Sequence, residues 1–182
     1  MESKRDIRQR ILQSRRRISE EVWKKNTHII CDKVVTHPWF LEAEAVYCYV
    51  DYQREVGTSH IIEQSWRLGK RVAVPKIDGD DMRFYYINDF TELSEGYKGI
   101  LEPRTERLAY EKKALVIMPG AAFDVFRNRI GYGKGFYDRF LRDHPSCRTM
   151  AIAFELQMAE EIPAEYFDIR PDILITEERI YV

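Results

Sequence analysis

Three cysteines in 182 residues, Cys31, Cys48 and Cys147, are odd in number and fall into no C-x-x-C spacing. Neither a disulfide framework nor a structural zinc site is therefore expected, and a reducing cytoplasm suits the chain. The four histidines show no zinc spacing either. No apolar run approaches membrane-spanning length, and the N-terminus opens with charge rather than with the apolar segment of a signal peptide. A cytoplasmic protein without a membrane partner is expected. A charge of one sign is also missing: 29 Lys and Arg stand against 30 Asp and Glu, a net charge of −1. That balance gives no support to a nucleic-acid partner at the level of the whole chain. No internal repeat, low-complexity tract or linker divides the sequence. One domain over residues 1–182, acting as a monomer, is the expectation.

What is present is an alternation of helix-like and strand-like segments. Arg5 to Ser14 and Glu20 to Thr36 read as helices, with Ser19 as a cap and His37-Pro38 as a stop. Ala45 to Val50 is β-prone, and Thr58 is placed to cap a helix that Gly69 terminates. Arg71 to Ile77 and Met82 to Ile87 read as strands joined by the hairpin chemistry of Asp78-Gly79-Asp80-Asp81. Tyr97 to Thr105 reads as an irregular connection. Ala114 to Met118 is an apolar run suited to a strand buried on both faces. Thr149 to Phe154 and Ile173 to Thr176 are further central strands, and Arg179 to Val182 closes an edge. The expected architecture is a single-domain three-layer α/β/α sandwich with a mostly parallel or mixed central sheet. In such folds ligands gather beyond the carboxyl ends of the strands. That places Asp51 to Thr58, Lys76 and Pro119 to Asp138 at the candidate site.

The most informative block is Gly131-Tyr132-Gly133-Lys134-Gly135-Phe136-Tyr137-Asp138, three alternating glycines around a lysine ahead of an amphipathic helix. Glycines let successive N–H groups turn toward one oxyanion, and a helix N-terminus, Lys134 and Arg129 add positive charge. A Walker A loop would need Ser or Thr after Lys134 and a glycine at Asn128, and a dinucleotide fingerprint would need a glycine at Phe136. Neither pattern fits. Asp124 and Asp138 bracket the loop with carboxylates suited to Mg²⁺, while a tight strand-to-helix turn remains the alternative on composition alone.

Taken with Met118-Pro119-Gly120-Ala121-Ala122-Phe123-Asp124 and Asn128-Arg129-Ile130, this block resembles the signature of the 5-formyltetrahydrofolate cyclo-ligase family. The resemblance extends along the chain. Lys4 to Arg8 is similar to the family's basic N-terminal helix, Glu55-Val56-Gly57-Thr58 to its E-V-x-T segment, and Gly99 to Pro103 to its G-I-x-E-P stretch. Two departures stand out: Arg127 occupies a position where the family usually has glycine, and Phe136 replaces a common tyrosine.

The resemblance implies ATP-dependent closure of 5-formyltetrahydrofolate to 5,10-methenyltetrahydrofolate, with ATP as co-substrate and Mg²⁺ as metal. It assigns catalysis to Lys134, Arg129 and Tyr137. Nucleotide contacts fall on Lys4, Arg5, Asp6, Ile7 and Arg8 and on Arg129, Ile130, Gly131, Tyr132, Gly133, Lys134, Gly135, Phe136 and Tyr137. Folate contacts fall on Val50, Glu55, Tyr132, Gly133, Lys134, Gly135 and Phe136, and metal ligation on Asp138 and Asp172; Asp124 is a secondary metal candidate only by its place beside the loop. Each residue also has a plainer reading. Asp138 suits the first turn of any helix, Asp172 any turn before a strand, and Lys4 with Arg8 any solvated helix face. Two rival functions use other features. A nucleic-acid module would use the Arg-rich first helix and the aromatics Tyr47, Tyr49, Phe84, Tyr85 and Tyr86, whereas a kinase or sugar-phosphate enzyme would share only the scaffold.

Overall fold

Caps and apolar spacing set the helical N-terminal third. The computed structural model describes residues 2–182. Helix α1 (Lys4–Arg16) starts at Ser3, whose hydroxyl accepts the Asp6 N–H at 3.2 Å, and it buries Ile7 and Ile11 on one face. Helix α2 (Glu20–Val35) is capped by Ser19, as expected, and α3 (Pro38–Glu42) opens on Pro38. The chain then runs through β1 (Ala45–Cys48), α4 (Ser59–Arg67), β2 (Arg71–Asp78), β3 (Asp81–Ile87), β4 (Leu93–Glu95), β5 (Leu101–Pro103) and β6 (Leu115–Met118). It continues through β7 (Ala122–Phe123), β8 (Arg129–Ile130), α5 (Phe136–Asp143), β9 (Arg148–Ile152), β10 (Ile173–Ile175) and β11 (Ile180–Tyr181).

Seven strands form the central sheet in the order β11-β10-β9-β6-β1-β2-β3. The inner pairings are parallel, while β2–β3 and β10–β11 are antiparallel. The sheet is thus mixed, with a hairpin at each edge. Strand alternation divides its side chains between two cores. Val46, Cys48, Val72 and Ile117 face Ile30, Val34, Phe40 and Ile61 of α2, α3 and α4. Tyr47, Ala73, Val116 and Met118 face Phe140 and Leu141 of α5. Helices on both faces make the expected three layers. Helix α1 instead lies on a smaller cluster, Ile7 and Ile11 against Ala122, Ile130 and Ile162. No helix among the described residues is long and apolar enough to cross a membrane.

Local differences from the sequence reading have physical reasons. Thr58 does not cap α4 with its side chain. Its hydroxyl donates to the buried Tyr49 carbonyl at 2.9 Å, satisfying the end of β1 instead. The Tyr97 to Thr105 stretch is partly ordered, because Leu101–Pro103 pairs with Leu93–Glu95. Tyr47 and Phe84, offered above as base-stacking aromatics, are buried and stack on each other at 5.0 Å. A short hairpin of β7 and β8, not expected from the sequence, follows the central strand β6.

The turn of that hairpin is built around Asp124, which is fully buried. Its carboxylate accepts the N–H groups of Phe126 and Asn128 at 2.9 Å each, the Asn128 side-chain amide at 2.8 Å and the Ile162 N–H at 3.1 Å. Arg127, where the resemblance leads to an expectation of glycine, adopts a left-handed φ of 63° and donates from Nε to the Pro171 carbonyl at 3.1 Å. The turn keeps the glycine-type conformation, and Arg127 adds a tertiary hydrogen bond there. With four donors already on Asp124, its role is structural, and its candidacy as a metal ligand is superseded. Replacing Asp124 by Ala leaves several buried N–H groups unpaired. The expected loss is about 3 kcal/mol or more, a fall of roughly 6–12 °C in Tm measured by calorimetry.

Candidate functional site

A cleft of about 400 Å³ opens where the parallel strands end, with Tyr49 and Val50 after β1, Pro75 and Ile77 near the end of β2, and Pro119 after β6 in its wall. The glycine loop forms one side, through Gly131, Tyr132, Lys134, Gly135, Phe136, Tyr137 and Asp138. Gly133 and Gly135 sit at φ of 98° and 64°, where side chains other than glycine are strained. Gly135 is also the residue that opens α5. Lys134 is exposed at the rim and makes no ion pair among the described residues. Beside the loop, Tyr97, Lys98 and Ile100 come from the turn between β4 and β5, with the Tyr97 ring edge-on to Phe136 at 6.3 Å and Lys98 left-handed at φ 55°.

The floor of the cleft holds two acid–base pairs. Arg129, 8% exposed, grips Asp138 with Nη2 at 3.1 and 3.2 Å from its two oxygens, while its Nε is buried without a partner. The Tyr137 hydroxyl is likewise buried and unpartnered, and burial pushes its ionisation well up, so it stands ready as a donor rather than a base. The second group centres on Glu55, 8% exposed. The Tyr52 N–H donates to its Oε2 at 2.8 Å, and the Tyr132 hydroxyl donates to its Oε1. Burial raises the Glu55 pKa above the ordinary glutamate value, with Tyr132 and Arg15 opposing that rise. Tyr132 is divided in its surroundings. Its residue surface is 46% exposed, yet its hydroxyl is buried between Glu55 and Arg15, and desolvation drives its pKa up.

The loop that carries Glu55 is pinned from three directions. The Tyr49 hydroxyl donates to the Val56 carbonyl at 2.8 Å, and the Trp23 indole of α2 donates to the Glu55 carbonyl at 2.7 Å. The Asp51 carboxylate accepts the Thr58 N–H at 2.8 Å. Gln53 and Arg54 take positive φ to make the turn. These contacts bring the segment after β1 against the glycine loop after β8, 77 residues apart between Glu55 and Tyr132.

Residues 1–177 match the model of the 5-formyltetrahydrofolate cyclo-ligase family. The chain belongs to that family. It is 28% identical over 179 residues to the 5-formyltetrahydrofolate cyclo-ligase of Escherichia coli strain K12, covering 94% of this chain and 98% of the relative. It is 28% identical over 191 residues to the mouse cyclo-ligase, covering 97% and 94%. The solved structure of Aquifex aeolicus 5,10-methenyltetrahydrofolate synthetase superposes with a TM-score of 0.86 at 27% identity, over 97% of this chain and 91% of that one.

The fold brings most of the cyclo-ligase candidates together. Val50, Glu55, Arg129, Gly131, Tyr132, Lys134, Gly135, Phe136, Tyr137 and Asp138 all line the cleft. Arg8 reaches the same loop, donating from Nε to the Gly131 carbonyl at 2.9 Å. Others lie outside the lining. Lys4 is held by Glu165 at 2.8 Å and Asp168 at 2.5 Å. Asp6 bonds the capping Ser3, Ile7 and Ile130 are core residues, and Arg5 is exposed. Asp172 lies outside the lining as well: its Oδ2 accepts the Thr149 N–H at 2.8 Å and the Thr149 hydroxyl at 2.9 Å. This ties the beginnings of β9 and β10, the edge of the sheet opposite the cleft. An Asp preceding a strand here satisfies its neighbour's start, the turn role that the sequence also allowed.

Sequence reasoning missed Arg15 and Arg16, Tyr52, Tyr97 and Lys98, all in the lining. Arg15 had a signal. It follows Ile7 and Ile11 at four-residue intervals and is 3% exposed, an arginine on the buried stripe of α1.

Because burial raises the Glu55 pKa, the folded state holds its proton more tightly than the unfolded chain. The associated stabilisation is complete below the unfolded glutamate pKa and disappears as pH rises through the folded one. Glu55→Gln, which mimics the protonated form, is expected to gain Tm relative to wild type as pH rises from about 4 to about 8. A Tm difference independent of pH, measured by calorimetry, contradicts the raised pKa.

Proposed function

We propose that the chain converts 5-formyltetrahydrofolate and ATP to 5,10-methenyltetrahydrofolate, ADP and phosphate. The observation that carries this reading is the hydrogen bond from Tyr132 to Glu55, which joins the phosphate-type glycine loop to the folate-type segment in one cleft. Two substrates that react with each other need a shared chamber. We read the enzyme as a monomer, since one chain supplies all these walls.

The chemistry sets the demands. A formamide oxygen is a poor leaving group, so N10 cannot displace it directly. Transfer of the ATP γ-phosphoryl to that oxygen gives an imidate-like phosphate. N10 then bonds to the formyl carbon, the carbon–oxygen bond breaks, phosphate leaves, and N10 releases its proton. Backbone N–H groups of the glycine loop with Lys134 and Arg129 offset charge on the transferring phosphoryl group. The Tyr137 hydroxyl and Arg129 Nε are buried donors without protein partners, suited to the same oxygens. Tyr132 and Phe136 provide aromatic faces for the pterin, and Glu55 a carboxylate acceptor for its N–H groups.

The donor set bears on Mg²⁺ directly. Among the described residues no three His, Cys, Asp or Glu side chains form a metal cluster. Asp138, engaged with Arg129 and the Ile169 N–H, is the candidate carboxylate in the lining. This suits a cation carried chiefly by phosphate oxygens and water, with Asp138 as its protein carboxylate. Bound there, Mg²⁺ would neutralise triphosphate charge.

Purified protein with ATP, Mg²⁺ and 5-formyltetrahydrofolate is expected to develop the near-ultraviolet absorbance of the methenyl product, with no signal when any one component is omitted. A flat trace from the complete mixture overturns the reading. Lys134→Ala is expected to lower kcat/KM by about 10²–10³-fold, roughly 3–4 kcal/mol of transition-state stabilisation, with Tm nearly unchanged because the side chain is exposed. Steady-state kinetics that match the wild type remove Lys134 from phosphoryl transfer.

A further inference from the structure

Helix α1 sends two arginines to different parts of the site. Arg8 donates to the Gly131 carbonyl of the glycine loop. Arg15, seven residues and about 10 Å further along the helix axis, turns to the other segment. Its Nη1 donates to the Tyr132 hydroxyl at 2.9 Å and its Nη2 to the Gln53 carbonyl at 3.3 Å. The guanidinium also lies over the Tyr132 ring, 5.8 Å from its centroid. At 3% exposed it is more deeply buried than Glu55, and its Nε lacks a protein partner in the wall of the cleft.

This arrangement has a fixed polarity. A guanidinium only donates, so the Tyr132 oxygen must accept from Arg15 and send its own proton onward to Glu55 Oε1. With the Tyr52 N–H on Oε2, both carboxylate oxygens face a donor, and the carboxyl plane is set. Without Arg15, the Tyr132 hydroxyl is free to rotate, the Gln53 carbonyl loses a donor, and Glu55 loses the cation that compensates its burial.

We propose that Arg15 is a positioning residue for the folate end of the cleft, acting through Tyr132 to orient the Glu55 carboxylate and to lock the 52–55 turn against the glycine loop. The inference rests on the cyclo-ligase reading. It adds a residue that lies outside the Lys4 to Arg8 run.

The test is steady-state kinetics with each substrate varied in turn, alongside calorimetric binding of 5-formyltetrahydrofolate without ATP. Arg15→Ala is expected to raise the folate KM and Kd by about tenfold or more while leaving the ATP KM within about twofold. Arg15→Lys keeps the charge and one donor, and is expected to recover folate affinity to within about threefold of wild type. Tyr132→Phe removes only the relaying hydroxyl from a half-exposed ring and leaves both charges in place. It is expected to give the same folate-selective loss, and the double variant is expected to be no worse than the more impaired single variant. A folate KM within twofold of wild type in Arg15→Ala overturns the proposal. So does an equal loss of affinity for both substrates with a lowered Tm and no rescue by lysine, which marks a purely structural residue. If Arg15→Ala does not fold, Tyr132→Phe decides alone. An inactive wild-type enzyme overturns the cyclo-ligase reading, whereas an active wild type with unaffected variants overturns only the role of Arg15.

Discussion

A carboxylate taken almost wholly out of water must be answered by donors, and that requirement organises the cleft around Glu55. No single element supplies them. The Tyr52 N–H comes from its own turn, the Tyr132 hydroxyl from the glycine loop and the Arg15 charge from α1. Each donor belongs to a segment with separate business, so satisfying one buried charge brings three distant pieces of chain into register. The indole of Trp23 adds α2 by holding the backbone of the same residue. The parallel sheet only presents loops at one edge; the polar contacts around Glu55 decide how those loops meet.

The layers, the strand succession and the location of the cleft were legible because they follow from periodicity and punctuation. The β2–β3 hairpin pairs Asp78 with Asp81 across Gly79-Asp80, where acidic and glycine residues interrupt two alternating runs. Ala114 to Met118 is uniformly apolar because β6 has neighbours on both sides and cores on both faces. What was not legible depends on contacts between residues remote in sequence. Strands β7 and β8 have two residues each, too short for a period to register. Thr58 has the right chemistry for a cap, but the buried carbonyl of Tyr49 competes for its hydroxyl. Asp172 and Asp138 look equivalent as acids beside a strand or helix start, and only the three-dimensional path puts Asp138 on Arg129 in the cleft lining and Asp172 on Thr149 outside it.

Arg127 shows how a residue with a side chain is held in a conformation that favours glycine. A left-handed φ in a residue with a Cβ is strained by about 1–2 kcal/mol. The carboxylate of Asp124 holds the neighbouring N–H groups of Phe126 and Asn128, fixing the turn on both sides of Arg127. The guanidinium then extends to the Pro171 carbonyl, outside the cleft lining. The side chain of Arg127 thus ties the turn to the 171 segment, while the direction of Arg129, two residues on, is set by the β7–β8 pairing.

The distribution of charge inside the cleft sets one cation apart from the others. Arg129 is matched by Asp138, and Arg15 is coupled through Tyr132 to Glu55, so the buried cations are already answered by acids within the chain. Lys134 is different. It stands at the rim, exposed and without an ion pair, next to glycines whose φ values leave the loop backbone open. A ligand bearing several phosphate charges meets an unneutralised cation there without first breaking a salt bridge. The rest of the lining includes Tyr49, Val50, Pro75, Ile77 and Met82, a largely apolar wall interrupted by the oriented carboxylate of Glu55. The exposed lysine thus favours a polyanion, and the apolar lining with its buried carboxylate a flat ring system with hydrogen-bond donors. The glycine loop contributes to both features, Lys134 at the rim and Tyr132 against Glu55.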